Sequence, residues 1–108
     1  MGPHAAKVAV SSTKSMTGHT LGAAGGLETV FTAQAILEGT APPTINLDQP
    51  GEGMDLDFVA NEPRSTPIRY AINNSFGFGG HNVSLVMTTF EGCPVLQPAF
   101  RSPPAPNE

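Results

Sequence analysis

Small residues crowd the start of an apolar helix and limit how this chain can pack. The residue pattern predicts a helix from about His19 to Leu37, with Gly39 as its stop and prolines just beyond. Three of the five residues in Gly22–Gly26 are glycines, and each glycine inside a helix costs about 1 kcal/mol relative to alanine. Close approach of another backbone usually explains such glycines. We therefore expect the helix to pack tightly against a neighbouring segment.

The same helix is apolar on more than one side. Four residues at three-, four- and seven-residue steps share one face: Ala23, Leu27, Val30 and Leu37. Three more apolar residues lie outside that face: Phe31, Ala35 and Ile36. A helix of this kind is usually buried on several sides. Residues 13–20 are predicted to form a loop before it, in which the hydroxyl of Ser15 or Thr17 caps the helix.

Strand patterns flank this helix. Residues 7–12 have the apolar character of a short buried strand, and residues 56–60 can form another within a connection rich in prolines and acids. Residues 68–74 and 82–90 are predicted strands joined by a glycine-rich turn, which indicates a hairpin. We expect a disordered start at 1–6 and a Pro-rich tail at 91–108, so the structured part is 7–90.

Composition disfavours several classes of function. The 108 residues include only five Lys and Arg and carry a net charge of −4, which argues against a nucleic-acid partner. No apolar run is long enough to span a membrane, and the first ten residues lack the apolar region of a secretory signal. The single cysteine, Cys93, cannot form an internal disulfide. We therefore expect a cytoplasmic protein without nucleic-acid or membrane partners.

Lys14 and His19 lie five residues apart, just before the helix. Backbone N–H groups create positive potential at a helix start, and this potential favours a neutral imidazole. A neutral imidazole donates a hydrogen bond without carrying charge, so it suits the enolate of a thioester. On residue types alone, a structural histidine remains the alternative.

The turn between the two C-terminal strands, Phe76–Gly80, contains two phenylalanines and three glycines. A tight turn needs glycine for positive φ, but the phenylalanines exceed what a turn requires. Glycines beside a bulky residue let its backbone approach a ligand and let its ring swing. We interpret the segment as a ligand-contacting loop, and we expect His81 to cap the turn rather than to act in catalysis.

Four other motifs in the sequence are weaker candidates for a catalytic or ligand-binding site. Ser11–Lys14 fits the S-x-x-K pattern of serine beta-lactamases, but its partner motifs are missing from the sequence. Cys93 lies beside an acid after the last strand, which indicates an inert thiol. Prolines and glycines break the acidic run at 48–57, so we expect a solvated loop and no metal site. Gly22–Gly26 lacks the ending of a phosphate loop.

Two segments, Lys14–Gly26 and Asn74–Asn82, together closely resemble the beta-ketoacyl-acyl-carrier-protein synthases, type II, elongating branch. The resemblance covers roughly residues 6–90. It implies an α/β, thiolase-like fold with two similar halves. This chain would be the C-terminal portion of the second half, in which helices cover a mixed sheet.

The resemblance also implies roles for individual residues. His19 and Lys14 would be catalytic: His19 would bond the malonyl thioester carbonyl, and Lys14 would shape the electrostatics and hold its loop through a carboxylate partner. Phe78 would be the gatekeeper of the acyl pocket, and its backbone N–H would form half of an oxyanion hole. The active-site loop around it would comprise the following residues: Phe76, Gly77, Gly79 and Gly80.

The implied reaction is the decarboxylative Claisen condensation of malonyl-carrier protein with an acyl-enzyme in fatty-acid biosynthesis. It needs no metal or redox cofactor, because acyl-carrier-protein phosphopantetheine carries the substrates. The acyl carrier protein would be a partner, and the complete synthase would be a homodimer.

The nucleophilic cysteine and the first active-site histidine of that family lie upstream of the matched region. We therefore expect the isolated chain to be inactive, its start at Met1–Ala6 to reflect truncation, a split gene or an engineered fragment, and the missing N-terminal portion of the synthase to be its partner. The alternatives are a non-catalytic remnant or interaction module, and the C-terminal piece of a polyketide ketosynthase. A fragment should expose apolar surface and associate.

Overall fold

The computed structural model describes residues 2–90. In that range the elements are the strands β1 (Ala9–Val10), β2 (Thr40–Ala41), β3 (Asp57–Phe58), β4 (Arg64–Ser65), β5 (Tyr70–Phe76) and β6 (Asn82–Thr88), and the helices α1 (Lys14–Thr17) and α2 (Ala24–Glu38). Three further turns are 3-10 helical: Gly2–Lys7, Leu21–Ala23 and Phe78–Gly80. The predicted Pro-rich tail at 91–108, with Cys93, lies outside the described residues.

The described strands pair two by two. β1 runs parallel to β3, with Ala9 opposite Asp57, and β2 runs antiparallel to β4. β5 and β6 form an antiparallel hairpin of seven residue pairs, from Tyr70 opposite Thr88 to Phe76 opposite Asn82. The predicted hairpin is therefore confirmed, and the mixture of helix with parallel and antiparallel strands confirms the α/β class.

The start of the chain differs from the prediction. We expect disorder at 1–6, but residues Gly2–Lys7 form a 3-10 helix without a buried residue. Its last turn is closed by the N–H of Val8, which donates to the Ala5 carbonyl over 3.1 Å. The pattern of apolar residues does not reveal such a turn, because nothing in it packs on a core.

The long helix α2 ends where the sequence predicts. Its C-cap is Gly39, at φ 62, whose N–H donates to the Ala35 carbonyl. This left-handed conformation costs glycine little and other residues considerably more. The helix therefore stops at the one residue in that stretch that reverses the chain without strain.

The start of α2 differs from the prediction. The helix begins at Ala24, after a 3-10 turn, and no side chain caps it. Ser15 and Thr17 instead belong to the short helix α1, inside the predicted loop 13–20, and donate to the carbonyls of Ser12 and Thr13. The capping prediction is wrong because these hydroxyls find acceptors in their own turn.

The glycine-rich segment Gly22–Gly26, which leads into α2, packs against the hairpin at one position. A Cβ on Gly25 would lie 3.1 Å from the Ser75 hydroxyl oxygen on β5. Gly22 and Gly26 have no other atom within 4 Å of such a Cβ. The expected close approach is thus found at Gly25 and involves a strand rather than a second helix.

Matched alanine substitutions test this contact. We expect Gly26→Ala to raise the free energy of unfolding by about 1 kcal/mol, because alanine favours the helix and its methyl group meets open space. Gly25→Ala gains the same propensity but pushes on Ser75, so its stabilisation should be clearly smaller. Urea unfolding of both variants measures the difference. Equal stabilisation would contradict the close contact.

The apolar face predicted for α2 is largely uncovered. Leu27, Val30 and Leu37 are exposed, the last two by 64% and 69%. The buried hydrophobic residues among those described are few: Ala24, Ile36, Ala41 and Val59. The prediction that α2 is buried on several sides is therefore wrong for this chain by itself, because periodicity indicates which face is apolar but supplies nothing to cover it.

An exposed ion pair links β3 to β4. Arg64 donates two hydrogen bonds to Asp57, over 2.6 and 2.8 Å. These hydrogen bonds from Arg64 hold the pKa of Asp57 below its usual value, against an opposing effect of desolvation. The predicted acidic loop at 48–57 is thus solvated except at its end, where it is tied to the next strand.

This ion pair predicts a pH dependence of stability. Because the folded-state pKa of Asp57 is lowered, its contribution is complete above the ordinary carboxyl pKa of about 4 and is lost as pH falls through the lower folded value. We expect the urea midpoint of Asp57→Asn to be slightly below the wild-type midpoint at pH 6 and to converge with it towards about pH 2. Glu62→Gln, at a carboxylate without an ion pair in residues 2–90, is the control. A gap that stays constant to pH 2 would contradict the assignment.

Candidate active site

Lys14 is held by a carboxylate on the long helix. It is the first residue of α1, and its ammonium group donates to Glu28 of α2 in a partly buried ion pair. The lysine side chain is 34% exposed and the glutamate side chain 14%. The carboxylate partner that the resemblance implies is therefore present in the structure, and it fixes α1 against the second turn of α2.

The turn that carries Lys14 is also fixed from its other side. The Ser15 hydroxyl accepts the N–H of Ile45 over 2.9 Å, and the Thr44 hydroxyl accepts the N–H of Ser12 over 2.8 Å. The Ser11 hydroxyl donates to the Pro42 carbonyl over 2.6 Å. These bonds join residues some 30 positions apart, so the proline-rich connection serves as a support for α1.

The ring of His19 is oriented by the backbone that follows it. Its Nδ1 accepts the N–H of Leu21 over 3.1 Å. A nitrogen that accepts a hydrogen bond carries no proton, so the neutral ring has its proton on Nε2. His19 is exposed, and Nε2–H is thus free to donate to a ligand. This is the form that we expect for a histidine that stabilises an enolate.

The orientation of His19 depends on strain at Leu21. Leu21 has φ 52, a left-handed conformation that costs a residue with a side chain about 1–2 kcal/mol. This conformation presents the Leu21 N–H to the ring, although α2 begins only at Ala24. The sequence predicted that the first turn of α2 would face the imidazole. The structure instead places the single backbone N–H of Leu21 there, so that prediction is wrong in this detail. Observed strain of this kind is a pointer to function.

Phe78 lies at the tip of the hairpin. It begins the 3-10 turn Phe78–Gly80, and the residue is 96% exposed. Gly79 and Gly80 have φ 79 and 78, a conformation for which glycine is needed. Within residues 2–90 the Phe78 N–H has no hydrogen-bond acceptor. Both the ring and the N–H therefore remain available to a ligand.

The base of this turn is closed by the backbone of His81. The N–H of Gly77 donates to the His81 carbonyl over 2.7 Å, and a Cβ on Gly77 would lie 3.3 Å from that oxygen. His81 thus closes the turn as predicted, through its carbonyl rather than its ring. Phe76, at the end of β5, is exposed like Phe78.

A buried asparagine that sequence reasoning missed joins the hairpin to α2. Asn73 is 8% exposed, and its amide donates to the Thr29 hydroxyl and to the Gly25 carbonyl. Strand alternation places it on the same face as Ala71 and Ser75. A polar residue between two small ones on one face was the signal that could have revealed this contact.

The three candidate residues, Lys14, His19 and Phe78, are each connected to α2, but they are not bonded to one another. Lys14 is tied to α2 directly, His19 precedes that helix by five residues, and Phe78 belongs to the hairpin that packs on it. Within residues 2–90 no hydrogen bond or ion pair joins these three residues. A cavity of about 390 Å³ opens elsewhere, between α1, α2 and Pro42–Pro43, and none of the three lines it.

Two further features concern the described range alone. Residues 2–90 contain no cluster of three or more His, Cys, Asp or Glu side chains placed to hold a metal ion. No helix in the same range combines the length and the apolar character that a membrane span requires.

The sequence of this chain is similar to a known protein family and to two known proteins. Residues 1–48 match the family described as beta-ketoacyl synthase, C-terminal domain. The 3-oxoacyl-[acyl-carrier-protein] synthase 2 of Coxiella burnetii is 64% identical over 87 residues, which cover 81% of this chain and 21% of that protein. The enzyme of the same name from Synechocystis sp. is 53% identical over 91 residues, covering 84% of this chain and 22% of that protein. The chain thus spans about a fifth of the length of these relatives.

A solved structure has the same fold. It is a complex of a type II polyketide acyl-carrier protein with its ketosynthase, bound to the hexaketide. The match has a TM-score of 0.80 at 38% sequence identity, and it covers 83% of this chain and 22% of that one. The α/β fold expected from the resemblance is therefore that of the ketosynthases.

Proposed function

Because the chain belongs to the beta-ketoacyl synthase family, we propose that it supplies part of a condensing active site in fatty-acid biosynthesis. In this proposal the segment 7–90 is the C-terminal part of the synthase domain. The observation that carries the proposal is the hydrogen bond from Leu21 to His19 Nδ1, which leaves Nε2–H as a donor. A 3-oxoacyl-carrier-protein synthase is 64% identical to this chain over the aligned residues, and we therefore assign the donor to the reaction of such a synthase.

The proposed reaction joins two thioesters. A cysteine thiolate first attacks the acyl thioester on carrier-protein phosphopantetheine, so that the acyl group moves to the cysteine and the carrier leaves as its thiolate. Malonyl-carrier protein then loses CO₂, and the electrons of the broken bond form an enolate. The enolate carbon attacks the acyl-cysteine carbonyl, and the cysteine leaves as its thiolate. The product is a 3-oxoacyl-carrier protein, and no metal or redox cofactor takes part.

His19 stabilises the enolate in this scheme. Its Nε2–H donates to the malonyl thioester oxygen, on which negative charge develops during loss of CO₂. A neutral donor that is already oriented needs no reorganisation as the charge appears. The Leu21 N–H maintains this orientation by occupying Nδ1.

Lys14 and Phe78 have supporting roles. Lys14 places a positive charge near the reacting carboxylate and ties α1 to Glu28. Phe78 offers its free N–H as half of an oxyanion hole, and its exposed ring is the gate of the acyl pocket. The loop of Phe76, Gly77, Gly79 and Gly80 gives this gate room to move.

The remaining surfaces fit a chain that works with other polypeptide. The outer face of the hairpin exposes Ile72, Phe76 and Val86, and α2 exposes Val30 and Leu37. Apolar patches of this kind mark interfaces in stable proteins. We propose that the N-terminal portion of the synthase covers them and supplies the cysteine and the first histidine. The complete synthase is a homodimer that binds an acyl carrier protein.

Polyketide condensation is a second candidate function. The structural match to a type II polyketide ketosynthase favours it, since the fold and 38% of the aligned residues are shared. The identity to the two 3-oxoacyl-[acyl-carrier-protein] synthases is higher, at 64% and 53%. We therefore rank the fatty-acid substrate first.

A chimaeric synthase tests the proposal. In it, the part of this chain that aligns with the Coxiella burnetii relative, over 87 residues, replaces the matching segment of that relative. We expect the chimaeric synthase to form 3-oxoacyl-carrier protein from acyl- and malonyl-carrier protein, and the isolated chain to form none. A folded chimaeric synthase without product would contradict the proposed function. Product from the isolated chain would contradict the need for an external cysteine.

A further inference from the structure

We propose that Asn73 is a positioning residue that latches the Phe78 hairpin to the helix that also holds Lys14. The inference rests on the proposed function, because it gives Asn73 a task in the same site. Asn73 lies in the middle of β5, five residues before Phe78, and is a buried polar residue of the described chain.

The latch is a closed set of three hydrogen bonds. Asn73 Nδ2 donates to Thr29 Oγ1 over 3.0 Å and to the Gly25 carbonyl over 3.3 Å. Thr29 Oγ1 in turn donates to the same Gly25 carbonyl over 2.7 Å. Next to this set, Gly25 leaves just enough space for the Ser75 hydroxyl. The strand is thereby fixed against α2 at two adjacent inward-facing positions.

Stability alone gives little reason for an amide at this place. Burying an amide costs desolvation energy, and its hydrogen bonds return only a modest net gain. Gly25 and Thr29 are already bonded to each other, so an apolar residue in the strand would leave neither without a partner. The amide instead fixes the position of β5 along α2, because hydrogen bonds require a narrow range of distances and angles and apolar contacts do not.

The position of the latch on α2 connects it to the rest of the site. Thr29 adjoins Glu28, which holds Lys14. The same helical turn therefore fixes the lysine segment on one side and the hairpin on the other. A shift of about 1 Å in a catalytic group can cost about 100-fold in rate. The Phe78 N–H lies at the far end of the hairpin, so the latch controls where the oxyanion donor points.

Matched threonine variants of the chain test the physical link. Thr29 and Thr32 both donate to the carbonyl four residues earlier, each over 2.7 Å, but only Thr29 accepts from Asn73. The readout is the nuclear Overhauser contact between the α protons of Gly25 and the β protons of Ser75. We expect Asn73→Ala to weaken it strongly, Thr29→Val to weaken it less, because Asn73 can still donate to the Gly25 carbonyl, and Thr32→Val to leave it unchanged. A contact that persists in Asn73→Ala, or that is missing from the wild-type chain, would overturn the latch.

A kinetic ratio in the chimaeric synthase tests the positioning role. Loss of CO₂ depends on His19, whereas condensation also needs the Phe78 N–H. An enolate that does not condense takes a proton from water and leaves as acetyl-carrier protein. We expect Asn73→Ala to raise the CO₂ released per 3-oxoacyl product about tenfold, Thr29→Val to raise it by less, and Thr32→Val not to change it. The double variant Asn73→Ala/Thr29→Val should match Asn73→Ala, because that single variant already removes both hydrogen bonds from the strand to α2. If CO₂ release and product formation slowed equally, so that their ratio did not change, Asn73 would be a structural residue without a positioning role.

The two measurements separate the latch from the proposed function. If the wild-type chimaeric synthase does not condense, the proposed function fails, and with it the positioning role. The Gly25–Ser75 contact still decides whether Asn73 joins the hairpin to α2. If condensation occurs but the ratio does not respond, only the positioning role of Asn73 fails.

Discussion

Substitution of His19 by alanine should slow condensation by the chimaeric synthase about 10²–10³-fold, the usual effect of losing one oxyanion donor. The physical reason is that Nε2–H is the free donor of the ring, because Nδ1 is occupied by the Leu21 N–H. The measurement is the initial rate of 3-oxoacyl-carrier-protein formation. Acylation of the cysteine should persist, because His19 acts on the malonyl thioester.

Two further variants sharpen this test. His19→Gln keeps an N–H donor near the place of Nε2, so it should retain more activity than His19→Ala. His4→Ala removes an exposed histidine of the first 3-10 turn and should leave the rate unchanged. If His19→Ala condensed at the wild-type rate, the histidine would be structural, which is the alternative that residue types alone leave open.

Replacement of Lys14 by methionine has the second largest expected effect. It removes the ammonium group and leaves the Glu28 carboxylate, 14% exposed, without its cation. We expect condensation to fall about 100-fold. We also expect the free energy of unfolding to fall by about 1–3 kcal/mol, because a mostly buried charge loses its partner. Kinetics and urea unfolding of the same protein preparation measure the two effects.

A double variant separates the two roles of Lys14. Lys14→Met/Glu28→Met replaces the ion pair with an apolar pair, so most of the lost stability should return. Activity should stay low, because the positive charge remains absent. Lys7→Met, at an exposed lysine, is the control and should change neither quantity. Full recovery of activity in the double variant would show that Lys14 only supports the fold.

Sequence reasoning located the elements that local chemistry specifies. The hairpin was predictable because its turn needs glycines at positive φ, and Gly79 and Gly80 have that conformation. The stop of α2 was predictable for the same reason at Gly39. A carboxylate partner for Lys14 was implied by the resemblance, but not its identity, because Glu28 is fourteen residues away and only the fold brings it close.

The remaining features depend on long-range contacts that no local pattern encodes. Asn73 has the surroundings of an ordinary strand residue until α2 packs on it. The positive φ of Leu21 is invisible in the sequence, because leucine rarely adopts it and the His19 ring supplies the partner. The exposed face of α2 shows a third limit: Val30 and Leu37 have the period of a buried stripe, and nothing in residues 2–90 covers them.

A single-turnover experiment decides whether this chain carries the enolate-forming half of a condensing site. The chimaeric synthase is first acylated at its cysteine and then mixed with malonyl-carrier protein, and the mass of the carrier protein is measured. We expect the mass of the 3-oxoacyl product, which is that of the malonyl carrier less its carboxyl group and plus the acyl group. A carrier that remains malonylated beside a fully acylated enzyme would contradict it.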